Sequence, residues 1–84
     1  MNTYAAEVKI ILRPDILDVQ GKAIESSLHS LEFNQLSNVR VGKIIKLTVN
    51  ANDVNEAFSI IDSATNKLLA NPIIEDFSII IERS

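Results

Sequence analysis

Residues 4–13 alternate without a break. Tyr4, Ala6, Val8, Ile10 and Leu12 fall on one side, with Ala5, Glu7, Lys9, Ile11 and Arg13 between them. A period of two commits the segment to a β-strand with one fully apolar face, and that face needs a second layer to cover it. Arg13-Pro14-Asp15 ends the strand, because proline has no N–H for a ladder and disfavours helix in the residue before it.

The next segments supply candidates for that layer. A helix is expected from about Gln20 to Glu32, with Ile24, Leu28 and Leu31 as its apolar stripe and Asp18 as its N-cap. Gly21 falls in the first turn, where it costs up to ~1 kcal/mol against alanine, so a close backbone approach is expected there. The second helix is the clearest element. Asp53 and Glu56 resemble a capping box, and Val54, Ala57, Phe58, Ile61, Ala64 and Leu68 share one face. Asn71-Pro72 stops it.

Between the helices, Val39, Val41, Ile45, Leu47 and Val49 return to a period of two, interrupted at Gly42-Lys43. Either a strand pair turning at Gly42 or one long strand bent there fits the pattern. In the last strand, Phe77, Ile79 and Ile81 share one face, with Ile74 and Ile80 on the other. The order is βαββαβ, and the expected fold is an α+β two-layer sandwich, with two helices on one face of an antiparallel sheet. At 84 residues the chain is one domain, 1–84.

Ala5, Ile11, Ile44, Ile74 and Ile80 would point away from the helices, where an uncovered sheet face normally reads polar. The last strand also offers an unprotected edge. Both features point to a homo-oligomer, a dimer or higher.

Composition excludes several kinds of function. The chain has no cysteine, which removes disulfides, zinc–thiolate sites and cysteine nucleophiles. Its net charge is −3, with scattered basic residues and four widely spaced aromatics, so no nucleic-acid partner is expected. No apolar run is long enough for a membrane span, and no signal peptide is evident, which leaves the cytoplasm as the expected location.

The search for catalytic groups gives none. His29 has neither a nucleophile nor a metal partner in the pattern. Glu75 and Asp76 are neighbours on a strand and point to opposite faces, so they form no proton-sharing dyad. Asp15 and Asp18 suit capping and turn roles better than cation ligation. Ser26-Ser27 has no base beside it, and two glycines cannot make a phosphate-cradling loop. No catalytic, metal or cofactor-binding residue is expected in this chain.

Three polar stretches remain that a plain scaffold does not need: "DVQGK" at 18–22, "VRVGK" at 39–43 and "LLANPIIED" at 68–76. Together with "LRP" at 12–14, they resemble the PurS family, the small subunit of phosphoribosylformylglycinamidine synthase in purine biosynthesis, in the same order and spacing over nearly the whole chain. The resemblance implies a non-catalytic subunit that bridges a glutaminase and an ATP-dependent synthetase and assists ammonia transfer. ATP and Mg belong to the synthetase. It also implies subunit-contact or loop-fixing roles for Asp18, Gln20, Gly21, Lys22, Arg40, Gly42, Lys43, Asn71, Pro72, Glu75 and Asp76. The chain departs from the family pattern at Asp15 and Glu32, where glycine is usual, and at Val19, where proline is usual. Glu32 in particular suggests a different end to the first helix. The alternative reading is an ACT-like regulatory domain that binds a small molecule.

Overall fold

In the computed structural model, which describes residues 1–83, the period-two segments become three strands: β1 (Asn2–Leu12), β2 (Gly42–Ala51) and β3 (Glu75–Arg83). They form one antiparallel sheet in the order β2-β1-β3. Tyr4 faces Val49, and Val8 lies between Ile45 and Ile79, so the alternating residues of all three strands meet on one side. Helix α1 is Val19–Ser30 and α2 is Val54–Ala64, which runs on through a π-helical turn, Thr65–Leu69.

The antiparallel α+β architecture agrees with the sequence, and the middle of the chain takes a simpler form than either alternative. There is neither a hairpin nor a mid-strand bend at Gly42, which is the first residue of β2, opposite Ile11. A side chain there would place its Cβ 2.6 Å from the Ile10 carbonyl oxygen, so the strand can begin this close to β1 only with glycine. Residues 39–41 leave the ladder because the Val41 N–H donates to the Asp18 carboxylate instead. Ile74 likewise lies in the turn before β3, where its carbonyl accepts from the Arg13 N–H.

Of the two helices expected on the sheet, α2 alone packs along β2 and β3 of its own chain. Its buried line is narrow, Ala57, Ile61 and Thr65, and it seals a core of Tyr4, Ala6, Val8, Ile10, Val49, Ala51 and Ala70. Of the predicted face only Ala57 and Ile61 are buried: Val54, Phe58 and Ala64 are exposed on its flanks, and Leu68 is 82% exposed. The π-turn explains Leu68. Thr65 Oγ1 donates to the Ile61 carbonyl, the Ala70 N–H reaches back five residues to Thr65, and the extra residue rotates Leu68 outward and Leu69 inward.

Gly21 is the only buried residue of α1. The helix extends the molecule instead of thickening it: principal extents are 52 × 26 × 14 Å, and the radius of gyration is 16.5 Å, against about 12 Å for a compact chain of this length.

Candidate functional site: a loop frame at the end of the sheet

The segments that resemble family motifs converge at the end of the sheet where β1 stops and β2 and β3 begin. Asp18 organises the first two. One carboxylate oxygen accepts from the Gly21 N–H at 2.8 Å and caps α1, and the other accepts from the Val41 N–H at 2.6 Å. The carboxylate is buried, with 6% of the residue exposed. These donors, Val41 first and then Gly21, hold its pKa below the ordinary value against the opposing effect of burial, and the nearby Arg40 charge adds to the shift.

Gly21 is needed because the chain returns immediately beside it. A Cβ there would sit 2.4 Å from the Val39 carbonyl oxygen. The next residue of that segment, Arg40, donates to three backbone carbonyls, those of Leu12, Arg13 and Ile16, at 3.0, 2.8 and 3.2 Å. A guanidinium suits this task because its fixed fork of donors reaches several acceptors at once. Arg40 thereby fastens the 39–41 segment to the exit of β1.

The third stretch joins the frame through Arg13. The Arg13 guanidinium donates to the Pro72 carbonyl, and its Nε lies 3.8 Å from the Asp76 carboxylate. Within the turn, Asn71 Oδ1 accepts from the Ile73 N–H, and Glu75 returns a carboxylate oxygen to the Asn71 N–H at 2.6 Å. The turn is closed on itself before β3 starts.

The sequence-derived site residues therefore divide by position. Asp18, Gly21, Arg40, Asn71 and Glu75 hold backbone to backbone, and Gly42 admits β2 to the sheet. Gln20, Lys22, Lys43, Pro72 and Asp76 are exposed around the frame. Sequence reasoning missed three participants. Arg13 links the first and third stretches, Glu25 accepts from the Val39 N–H at 3.0 Å, and His29 Nε2 lies 2.7 Å from the Leu36 carbonyl oxygen. No local pattern marks a partnership such as Glu25 with Val39, 14 residues apart.

A depression of about 520 Å³ opens beside the frame, with Lys22, Glu25, Arg40 and Asp76 among its polar lining and Leu12, Pro14 and Leu17 among its apolar lining. Arg40 is committed to carbonyls, and Asp18 and Glu25 to amides, so these three charged groups serve geometry. Among the described residues, no three His, Asp or Glu side chains gather as a metal site, and no helix is long and apolar enough to cross a membrane.

A family model described as PurS, phosphoribosylformylglycinamidine (FGAM) synthase, matches residues 5–83. The PurS subunit of Bacillus subtilis is 35% identical over 79 residues, covering 94% of this chain and 93% of that relative. Its Mycobacterium leprae counterpart is 41% identical over 75 residues, covering 88% and 90%. Among solved structures, B. subtilis PurS superposes with a TM-score of 0.85 over 94% of this chain and 98% of the other. A chain of the PurLQS structure from Thermotoga maritima, 27% identical, gives 0.89 over 98% of this chain and all of the other. On the family match and these identities, the chain belongs to the PurS family of phosphoribosylformylglycinamidine synthase.

Proposed function

We propose that this chain is the small, non-catalytic subunit of a phosphoribosylformylglycinamidine synthase complex in purine biosynthesis. It works as a homo-oligomer in the cytoplasm and bridges a glutaminase subunit and an ATP-dependent synthetase subunit. ATP and Mg act in the synthetase, which activates the amide oxygen of the substrate for displacement by ammonia. The small subunit's contribution is positional. It fixes the spacing of the two partners and helps keep water from ammonia in transit, because ammonia that escapes is protonated and ceases to be a nucleophile.

One observation carries this reading: the full-length match to a chain of a structure described as PurLQS. The frame supports it, since its charged groups are spent on holding loops in place while Gln20, Lys22 and Lys43 stand outward around them. Co-purification from the native cell tests the proposal. The tagged chain should retain a synthetase and a glutaminase subunit when glutamine and nucleotide are present. Recovery of neither under those conditions would contradict it.

A further inference from the structure

The face of the sheet turned away from α2 is open to solvent, and it carries isoleucines: Ile11 is 41% exposed, Ile44 55% and Ile80 45%. On that face Lys9 lies between Ile44 of β2 and Ser78 of β3, and Ile11 lies between Gly42 and Asp76. Gly42 and Ser78 are too small to fill their positions, so a hollow of about 760 Å³ with mainly apolar walls opens there. Ile11 and Asp76 also border the depression beside the loop frame. The two form one continuous groove, from Ile44 at the sheet to Lys22 at the start of α1.

Charge decides what such a groove accepts. Its acidic groups are engaged within the chain. Asp18 and Glu25 accept from backbone N–H groups, and Asp76 lies 3.8 Å from the Arg13 guanidinium. Glu7, next to Lys9 along that face of β1, lies 3.6 Å from Lys46. The lysines are not engaged. Lys9, Lys22 and Lys43 line the groove and make no ion pair or side-chain hydrogen bond among the described residues. On a chain of net charge −3, the unspent charge of this groove is positive. A second copy docked isologously would bring the same unpaired lysines to it, and like charges brought together cost affinity.

We propose that this groove receives an acidic segment of a partner subunit, its apolar side chains seated over Ile11 and Ile44 and its carboxylates meeting Lys9 and Lys22. The apolar floor supplies the buried area, and the lysines select the partner and fix its register. The inference rests on the complex proposed in the preceding section and deepens it, by naming the surface and the chemistry of the segment it takes. The loop frame also gains a purpose. It fixes the first turn of α1, and with it Lys22, at a set position beside the sheet.

The test titrates this chain, labelled at its N-terminus, with purified synthetase and glutaminase at low and high salt, glutamine and nucleotide being present. Wild type is compared with Lys9→Glu and Ile44→Ser, both at exposed positions. Each variant should raise the dissociation constant roughly 10-fold or more. Lys9→Glu should also flatten its salt dependence, which Ile44→Ser leaves as in wild type. If Lys9→Glu does not fold, Lys9→Gln takes its place, with a smaller rise and the same flattening. Wild-type affinity in either folded variant, or an unchanged salt dependence in the lysine variant, overturns the inference and leaves the complex standing. Loss of self-association in either variant, read by sedimentation, assigns the groove to a second copy and overturns it equally. A wild-type chain that binds neither subunit overturns both the inference and the complex.

Discussion

The Asp18 carboxylate holds the Val41 N–H at 2.6 Å, joining residues 23 positions apart across the gap between α1 and β2. The bond takes Val41 out of the sheet ladder, orients the first turn of α1 and brings the "DVQGK" and "VRVGK" stretches into one structure. Its strength depends on a full negative charge, since both oxygens accept from backbone donors.

Asp18 should therefore contribute pH-dependent stability. Its pKa is lowered in the folded state, so the contribution is fully present above the unfolded value of 3.8 and disappears as pH falls through the lower folded value. Asp18→Asn replaces one acceptor with a donor that faces the N–H of either Gly21 or Val41. Urea denaturation should show the variant less stable than wild type near neutrality, with the gap closing below about pH 4. A gap that stays constant into acid would refute the assignment.

Gly21→Ala should destabilise the chain by roughly 1–3 kcal/mol, because the new methyl meets backbone and cannot be relieved by turning a side chain. Thermal unfolding would measure this. An unchanged midpoint would show that the Val39 carbonyl moves aside at little cost. The usual gain from replacing helical glycine by alanine makes such a loss diagnostic.

Glu32 occupies a left-handed conformation, φ 72°, at the end of α1. The Glu32 N–H donates to the His29 carbonyl and the Phe33 N–H to the Leu28 carbonyl, the pairing that commonly has glycine at this position. The departure from the family pattern thus keeps the glycine geometry without the glycine. Glu32→Gly should raise stability by about 1 kcal/mol. A lower midpoint would show that the glutamate side chain contributes more than its backbone strain costs.

How far the sequence revealed this molecule follows from the range of each interaction. β1, the N-caps at Asp18 and Asp53 and the core residues Ala57 and Ile61 were legible because spacing and capping act within a few residues. The amphipathicity of α1 was also legible, but a stripe such as Ile24–Leu28–Leu31 records that it needs a cover and says nothing of which surface supplies it. The second oxygen of Asp18, the Arg40 fork and the Glu25–Val39 bond join distant segments, and no periodicity encodes them. At Thr65, a buried hydroxyl bonded to the Ile61 carbonyl redirected the last turn of α2 after the apolar pattern had placed Leu68 inside.

Lys22→Glu separates folding from assembly. Lys22 is exposed in the first turns of α1, and no acidic residue occupies the first turn, so a glutamate there is compatible with the helix dipole. Stability should change by no more than ~0.5 kcal/mol. Retention of the partner subunits should fall. Undiminished retention would remove Lys22 from the contact surface.

The most direct measurement compares glutamine-dependent with ammonia-dependent amidine formation by purified synthetase and glutaminase, with and without this chain. If the chain positions partners and shelters ammonia, adding it should raise the glutamine-dependent rate strongly and leave the rate with free ammonia nearly unchanged. Equal glutamine-dependent rates in its absence would contradict the account.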